Sequence, residues 1–280
     1  MRRIPAPVPV LRSEDPRDRL DGAVPSPAFA FLLSLITVST LFWLVTLKRT
    51  TVYTLPEERL MHDIVPALQA TVQSDLPSLH AALLALSALG SGWFVSLGFA
   101  ALGLLMLAIR RSDLAWLAAI GTLAFPIEWA LKYFTTLDAI SLAELGNALF
   151  DVNEIGLDDI ADFPAGHALR ATVFYGIVAF TVARLVPRRR IGFTAYTIAA
   201  TLIVVISLIR LYLGAHYPMD LLGGLFAGLA LLTVAVSWHV LQADERMRTR
   251  AREELIARRR ESLGGIQRTR ATTPSQGNEA

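Results

Sequence analysis

The sequence contains no cysteine, which removes disulfides, thiolate catalysis and sulfur-bound metals from consideration. Charge is missing from long tracts. Uncharged stretches run over 28–47, 81–109, 114–127, 191–209 and 221–238, and a sixth, 167–183, is broken only by Arg170. In a chain that is 54% hydrophobic and 18% charged, this segregation is that of a membrane protein. About 20 residues rising 1.5 Å each cross roughly 30 Å of hydrocarbon. The runs therefore predict an all-α polytopic fold, six transmembrane helices in a bundle. The first run ends in LKRT and lacks a small-residue cleavage pattern, so it is expected to stay as an anchor. Neither an internal repeat nor a low-complexity tract interrupts the pattern.

The net charge is only +2, but the bases are unevenly placed. With both termini cytoplasmic, the inner side holds Arg2, Arg3, Arg12, Arg17, Arg19, Arg110, Arg111, Arg184, Arg188, Arg189, Arg190 and the arginines after Ser237. The other side holds Lys48, Arg49, Arg59, Lys132 and Arg210. Basic residues accumulate on the cytoplasmic side of a membrane, which predicts an inner-membrane, multi-pass protein with both ends inside. The basic C-terminal tail reads as a topology or anionic-lipid element rather than a nucleic-acid surface.

Three regions follow: a proline-rich cytoplasmic tail (1–27), a membrane domain (28–242) and a basic cytoplasmic tail (243–280). Within the second, 48–80 forms an external loop in which TLPEERL and SDLPSLH read as starts of short helices. In the third, a charge-laced helix is expected to 262 and disorder from 264 onward. Residues 133–165 lack Lys and Arg altogether but carry Asp138, Glu144, Asp151, Glu154, Asp158, Asp159 and Asp162. Such a run is usually solvated surface; read sharply, it would attract a divalent cation or a cationic head group. The chain has neither EF-hand nor zinc spacing, and neither a metal nor another cofactor is expected. His62, His80 and His239 have no partner pattern and read as interfacial or packing residues.

On this topology four polar elements reach one membrane face. Lys132 ends the third span, PAGH (164–167) opens the fourth, Arg210 ends the fifth and His216 to Asp220 opens the sixth. Pro218 suits a first helical turn, which lets the Asp220 carboxylate reach back toward His216. An imidazole held by a carboxylate keeps one tautomer and leaves its other nitrogen as a nucleophile or ligand. Arg210 brings a fork of donors that matches phosphate. The helix opening at PAGH presents amides and a positive dipole end, and His167 stands where it meets a leaving oxygen. Lys132 lies four residues after Glu128, the spacing of a helical ion pair.

The order Lys132, PAGH, then R-x5-H-x3-D resembles the type-2 phosphatidic acid phosphatase superfamily, whose pattern is K-x6-R-P, P-S-G-H and S-R-x5-H-x3-D on a six-span fold. The resemblance covers roughly 115–240. It implies that His216 attacks phosphorus and becomes a phosphohistidine, that Asp220 orients it, and that His167 serves the leaving group. Lys132, Arg210 and the Gly166 amide would hold phosphate oxygens, and no metal would be needed. The chain departs from the pattern at Ala139-Ile140, where the family has Arg-Pro, and at Ala165 and Ile209, where it has Ser. Arg170, one turn past His167 on the same helical face, is the candidate substitute for the missing arginine. The expected activity is hydrolysis of a lipid phosphate or prenyl diphosphate on the outer face. The alternatives are a transferase of the same fold or a lipid-phosphate binding protein that has lost competence.

Overall fold

The computed structural model describes residues 27–50, 55–135, 163–186 and 188–271, and among them every regular element is a helix. In chain order these are α1 (Pro27–Thr50), α2 (Leu55–Arg59), α3 (Val65–Asp75), α4 (Pro77–Ser87), α5 (Gly92–Ala108), α6 (Ser112–Gly121), α7 (Ala124–Thr135), α8 (Gly166–Leu185), α9 (Arg189–Tyr212) and α10 (Pro218–Ala271). The N-terminal tail, the acidic stretch 138–162 with Ala139-Ile140, and residues 272–280 lie outside the described residues. Helices begin inside both TLPEERL and SDLPSLH, as their proline positions predict.

All six apolar runs lie on helices. Four are long and apolar enough to cross a membrane: Ser112–Thr135, Gly166–Leu185, Arg189–Tyr212 and Pro218–Ala243. A fifth arises if Pro77–Gly90 and Gly92–Ala108, bent by 51°, form one broken span. The described apolar part of α1, Leu32–Thr46, is shorter, so among the described residues the count reaches five at most and the expected six is not confirmed. The chain is a multi-pass membrane protein.

The bend in the fifth candidate has a local explanation. A 3-10 turn, Ala88–Gly90, interrupts the helix, and a break inside a membrane frees carbonyls that must find donors. Three side chains supply them: Ser91 Oγ donates to Ala88 O (2.6 Å), Tyr175 OH to Leu89 O (3.0 Å) and Arg170 Nε to Gly90 O (3.3 Å). α5 then turns back into α6 through a Schellman motif. Arg111 N donates to Met106 O and Arg110 N to Leu107 O, with Arg110 at φ 58°. Glycine is the usual residue at that left-handed position.

The chain divides into two compact units, 1–237 and 238–280. In the first, α8 is the most enclosed candidate span, with 67% of its apolar window buried. Leu169, Val173 and Ile177 of α8 share one core with Val95 and Phe99 of α5, Leu114 and Leu117 of α6, and Ala227 and Leu231 of α10. α1 meets α10 through hydroxyl pairs, Ser34 with Ser237 and Thr37 with Thr233, each at 3.1 Å. Such bonds hold helices together where lipid supplies no hydrophobic drive. The second unit is helical to Ala271. The helix thus passes 262 and enters the segment expected to be disordered. Gly264 and Gly265 cost it about 1 kcal/mol each, but no proline intervenes before Pro274.

Candidate active site

Two helix starts and two helix ends build the site. α9 stops at Tyr212 through a second Schellman motif: Ala215 N donates to Arg210 O (3.1 Å), Gly214 N donates to Leu211 O (3.0 Å), and Gly214 takes φ 72°. A Cβ at Gly214 would meet nothing closer than Val65 at 3.9 Å, so backbone conformation rather than space requires glycine there. This stop leaves Arg210 in the last turn of α9 and places His216 immediately before α10.

The start of α10 is fully accounted for. Leu221 N donates to Tyr217 O (3.2 Å), making Tyr217 the N-cap and Pro218 the first helical residue, where it has no amide to satisfy. Asp220, at the third position, reaches back so that its Oδ2 accepts from Tyr217 N (3.1 Å), half of a capping box. The Met219 amide donates to Glu57 Oε1 of α2 (3.2 Å). Asp220 is thus fixed beside the residue that follows His216.

α8 starts against α10. Its N-cap, Ala165, makes no side-chain cap bond; the Ala165 N–H donates instead to Asp220 O at 2.9 Å. Behind this link the helices close through glycine. A Cβ at Gly223 would strike the Phe163 ring, one at Gly224 would strike Ala165 O, and one at Gly228 would come within 2.8 Å of Leu169 O. Gly224 and Gly228 form a G-x-x-x-G pair, the spacing that lets membrane helices approach most closely. His167, at the second position of α8, is thereby brought to the His216 end of α10.

The resulting cluster is buried. His167 is 4% exposed, His216 6%, Arg210 3%, Lys132 5% and Asp220 0%. His167 lies within electrostatic reach of Arg210, Arg170, His216 and Lys132. The sequence-selected residues from α7, α8, α9 and α10 therefore share one place. The helical pair expected at the end of α7 is made: Lys132 Nζ lies 3.4 Å from Glu128 Oε1.

Arg170, expected to grip phosphate, is engaged by protein groups around it. Its Nη1 lies 2.7 Å from Glu128 Oε2, its Nε donates to Gly90 O, and its Nη2 stands 3.4 Å from His167 Nδ1. The guanidinium carbon is 6.0 Å from the Phe125 ring centre. Gly166 is shaped by the same group, because a Cβ there would collide with Glu128 Oε1. Glu128, read from the sequence only as the partner of Lys132, thus holds two cations. A buried acid and a buried arginine on different spans are each other's expected partners, and that was the available signal.

Residues of the segment from α2 to α4 also reach this end. His62 Nε2 and Tyr217 OH are 3.2 Å apart, and His80 Nδ1 and Tyr212 OH 3.0 Å. With Glu57, these contacts tie that segment to the end of α9 and the turn carrying His216. Their spacing of more than 130 residues gave the sequence no local signal. Among the described residues no group of three or more His, Asp or Glu is placed to hold a metal ion.

Residues 146–244 match the family model of the PAP2 superfamily; the match begins after Lys132. Phosphatidylglycerophosphatase B of Bacillus subtilis (strain 168) is 34% identical over 70 residues, which are 25% of this chain and 34% of that protein. The chain thus spans about a third of the length of this curated relative. A crystal structure described as the first transmembrane PAP2 type phosphatidylglycerolphosphate phosphatase, from Bacillus subtilis, superposes with a TM-score of 0.51 at 22% identity, covering 76% of this chain and 94% of that one. The chain is thus similar to the PAP2 superfamily over residues 146–244 and shares the fold of a transmembrane PAP2-type protein.

Proposed function

We propose that this protein is a membrane phosphatase acting on a lipid phosphate or lipid diphosphate through a phosphohistidine on His216. The observation that carries the reading is the convergence of His167 and His216, from the starts of two different helices, beside Lys132 and Arg210 in one buried cluster. Two imidazoles in one anion-attracting place supply a nucleophile and a separate donor.

In this mechanism Arg210, Lys132 and the amides at the start of α8 hold the phosphoryl oxygens. The N-terminal dipole of α8 adds to their attraction. A ring nitrogen of His216 bonds to phosphorus as the bond to the leaving oxygen breaks, and His167 donates to that oxygen. Water then bonds to phosphorus, the P–N electron pair returns to the ring and inorganic phosphate departs. Asp220 orients His216 from its capping position, and Arg170 acts by holding other residues. The positive-inside pattern supports a site on the outer face of the inner membrane with both termini cytoplasmic. Phosphatidylglycerophosphate, named in the titles of the relatives, is one candidate substrate.

The test is phosphate release by the purified full-length protein from a panel of lipid monophosphates and diphosphates, with and without chelator. Release that persists with chelator supports the reading. Labelled phosphate appearing in a lipid acceptor would make the protein a transferase, and lipid-dependent stabilisation without turnover would make it a binding protein.

A further inference from the structure

Both oxygens of buried Glu128 are engaged, Oε1 by Lys132 Nζ at 3.4 Å and Oε2 by Arg170 Nη1 at 2.7 Å. Arg170 in turn directs Nη2 at His167 Nδ1, 3.4 Å away. A guanidinium has only donors and does not deprotonate in proteins. The ring nitrogen facing it must therefore present a lone pair, which puts the ring proton of His167 on Nε2. A second proton on Nδ1 would set an imidazolium N–H against a guanidinium N–H, two donors and two positive charges in a buried place. The basic side chains Arg210, Arg170, His216 and Lys132 all lie within electrostatic reach of His167.

We propose that Glu128 and Arg170 are positioning residues that hold His167 as its neutral Nε2–H tautomer, and that the site thereby suits a lipid diphosphate rather than a lipid phosphate monoester. The inference rests on the phosphatase reading above. With a diphosphate, a His216 nitrogen bonds to the terminal phosphorus and the bond from that phosphorus to the bridging oxygen breaks. The electron pair stays on the bridging oxygen, which leaves as part of a lipid monophosphate. A phosphate group loses its second proton at a pKa of about 6, so this anion needs a hydrogen bond from Nε2–H and not a proton. With a monoester the same cleavage leaves an alkoxide, comparable in basicity to hydroxide, and His167 would have to surrender its only ring proton. In both cases water then displaces His216 from phosphorus, and its proton passes to phosphate and solvent.

The experiment uses full-length protein in nanodiscs with 15N-labelled histidine, His167 being assigned by the signals lost in His167→Gln. At neutral pH the wild type should show a bare Nδ1 and a protonated Nε2, Arg170→Met should show a tautomer mixture, and Arg170→Lys, which keeps a cationic donor, should stay near the wild type. Initial rates on a prenyl diphosphate and the prenyl monophosphate of the same chain should differ in kcat by at least about 10-fold in favour of the diphosphate. That ratio should shrink in Arg170→Met. A protonated Nδ1 in the wild type, a wild-type ratio near one, or a ratio unchanged in folded Arg170→Met would each overturn the proposal. If Arg170→Met does not fold, the wild-type nitrogen signals and the wild-type ratio decide. Phosphate from neither prenyl lipid but from another lipid of the panel overturns the substrate half of this proposal alone, phosphate from no lipid of the panel overturns the phosphatase reading with it, and the nitrogen signals judge the tautomer by themselves.

Discussion

Glu128 Oε2 and Arg170 Nη1 stand 2.7 Å apart, and neither side chain is more than 1% exposed. Desolvating two ions is costly, and a buried pair is weak support for stability as such. Its consequence is felt when one partner is removed. Glu128→Ala would leave Arg170 and Lys132 as buried cations without this carboxylate, at a cost of about 3–5 kcal/mol. Thermal unfolding in detergent should show a large loss for Glu128→Ala and a smaller one for Glu128→Gln, which keeps an acceptor oxygen. Equal melting of Glu128→Ala and the wild type would mean that the pair does not hold.

Gly166 lies against the same carboxylate. A methyl group there would occupy the position of Glu128 Oε1 and come within 2.9 Å of Arg170 Nη1. Glu128 must then move, and with it Lys132 and the start of α8. Displacements of about 1 Å in a catalytic arrangement cost on the order of 10²-fold in rate. Gly166→Ala should show a loss of that size in phosphate release, and wild-type kcat in this variant would show that the close approach is not needed.

The contact between α8 and α10 sets the distance between the two histidines. Gly224→Val would drive a side chain into Ala165 O and against the Ala168 methyl, an overpacking worth about 1–3 kcal/mol. It should lower both melting temperature and activity. Gly103→Ala is the control, since its Cβ would meet only the Ala118 methyl at an ordinary 3.7 Å. Matching behaviour of the two variants would remove the glycine contact from the account.

Much of this arrangement was legible in the sequence because it rests on local chemistry. Pro218 marks a helix start, which sets His216 just before it and Asp220 in its first turn. The six apolar runs gave the helices. What stayed hidden depends on contacts between distant segments. Spacing alone paired Glu128 with Lys132 four residues away, whereas its shorter contact is to Arg170 on another span. Arg170 shares a face with His167 as the helical period requires, but its contacts with Glu128 and with the broken turn at Gly90 come from distant segments. Glu57 at the Met219 amide had no sequence signature, because any acid in the loop could have served. Among the described residues the span count stops at five, because length in uncharged residues does not show where a helix breaks, as at Ala88–Gly90.

The central claim is that His216 carries the phosphoryl group. The direct measurement is rapid acid-free quenching of the full-length protein during turnover of a lipid substrate labelled in its terminal phosphate, followed by mapping of the label. The account predicts base-stable, acid-labile phosphate on His216, absent in His216→Ala, whose turnover should fall on the order of 10⁴-fold or more. Label on another residue, or phosphate release by His216→Ala at the wild-type rate, would contradict it.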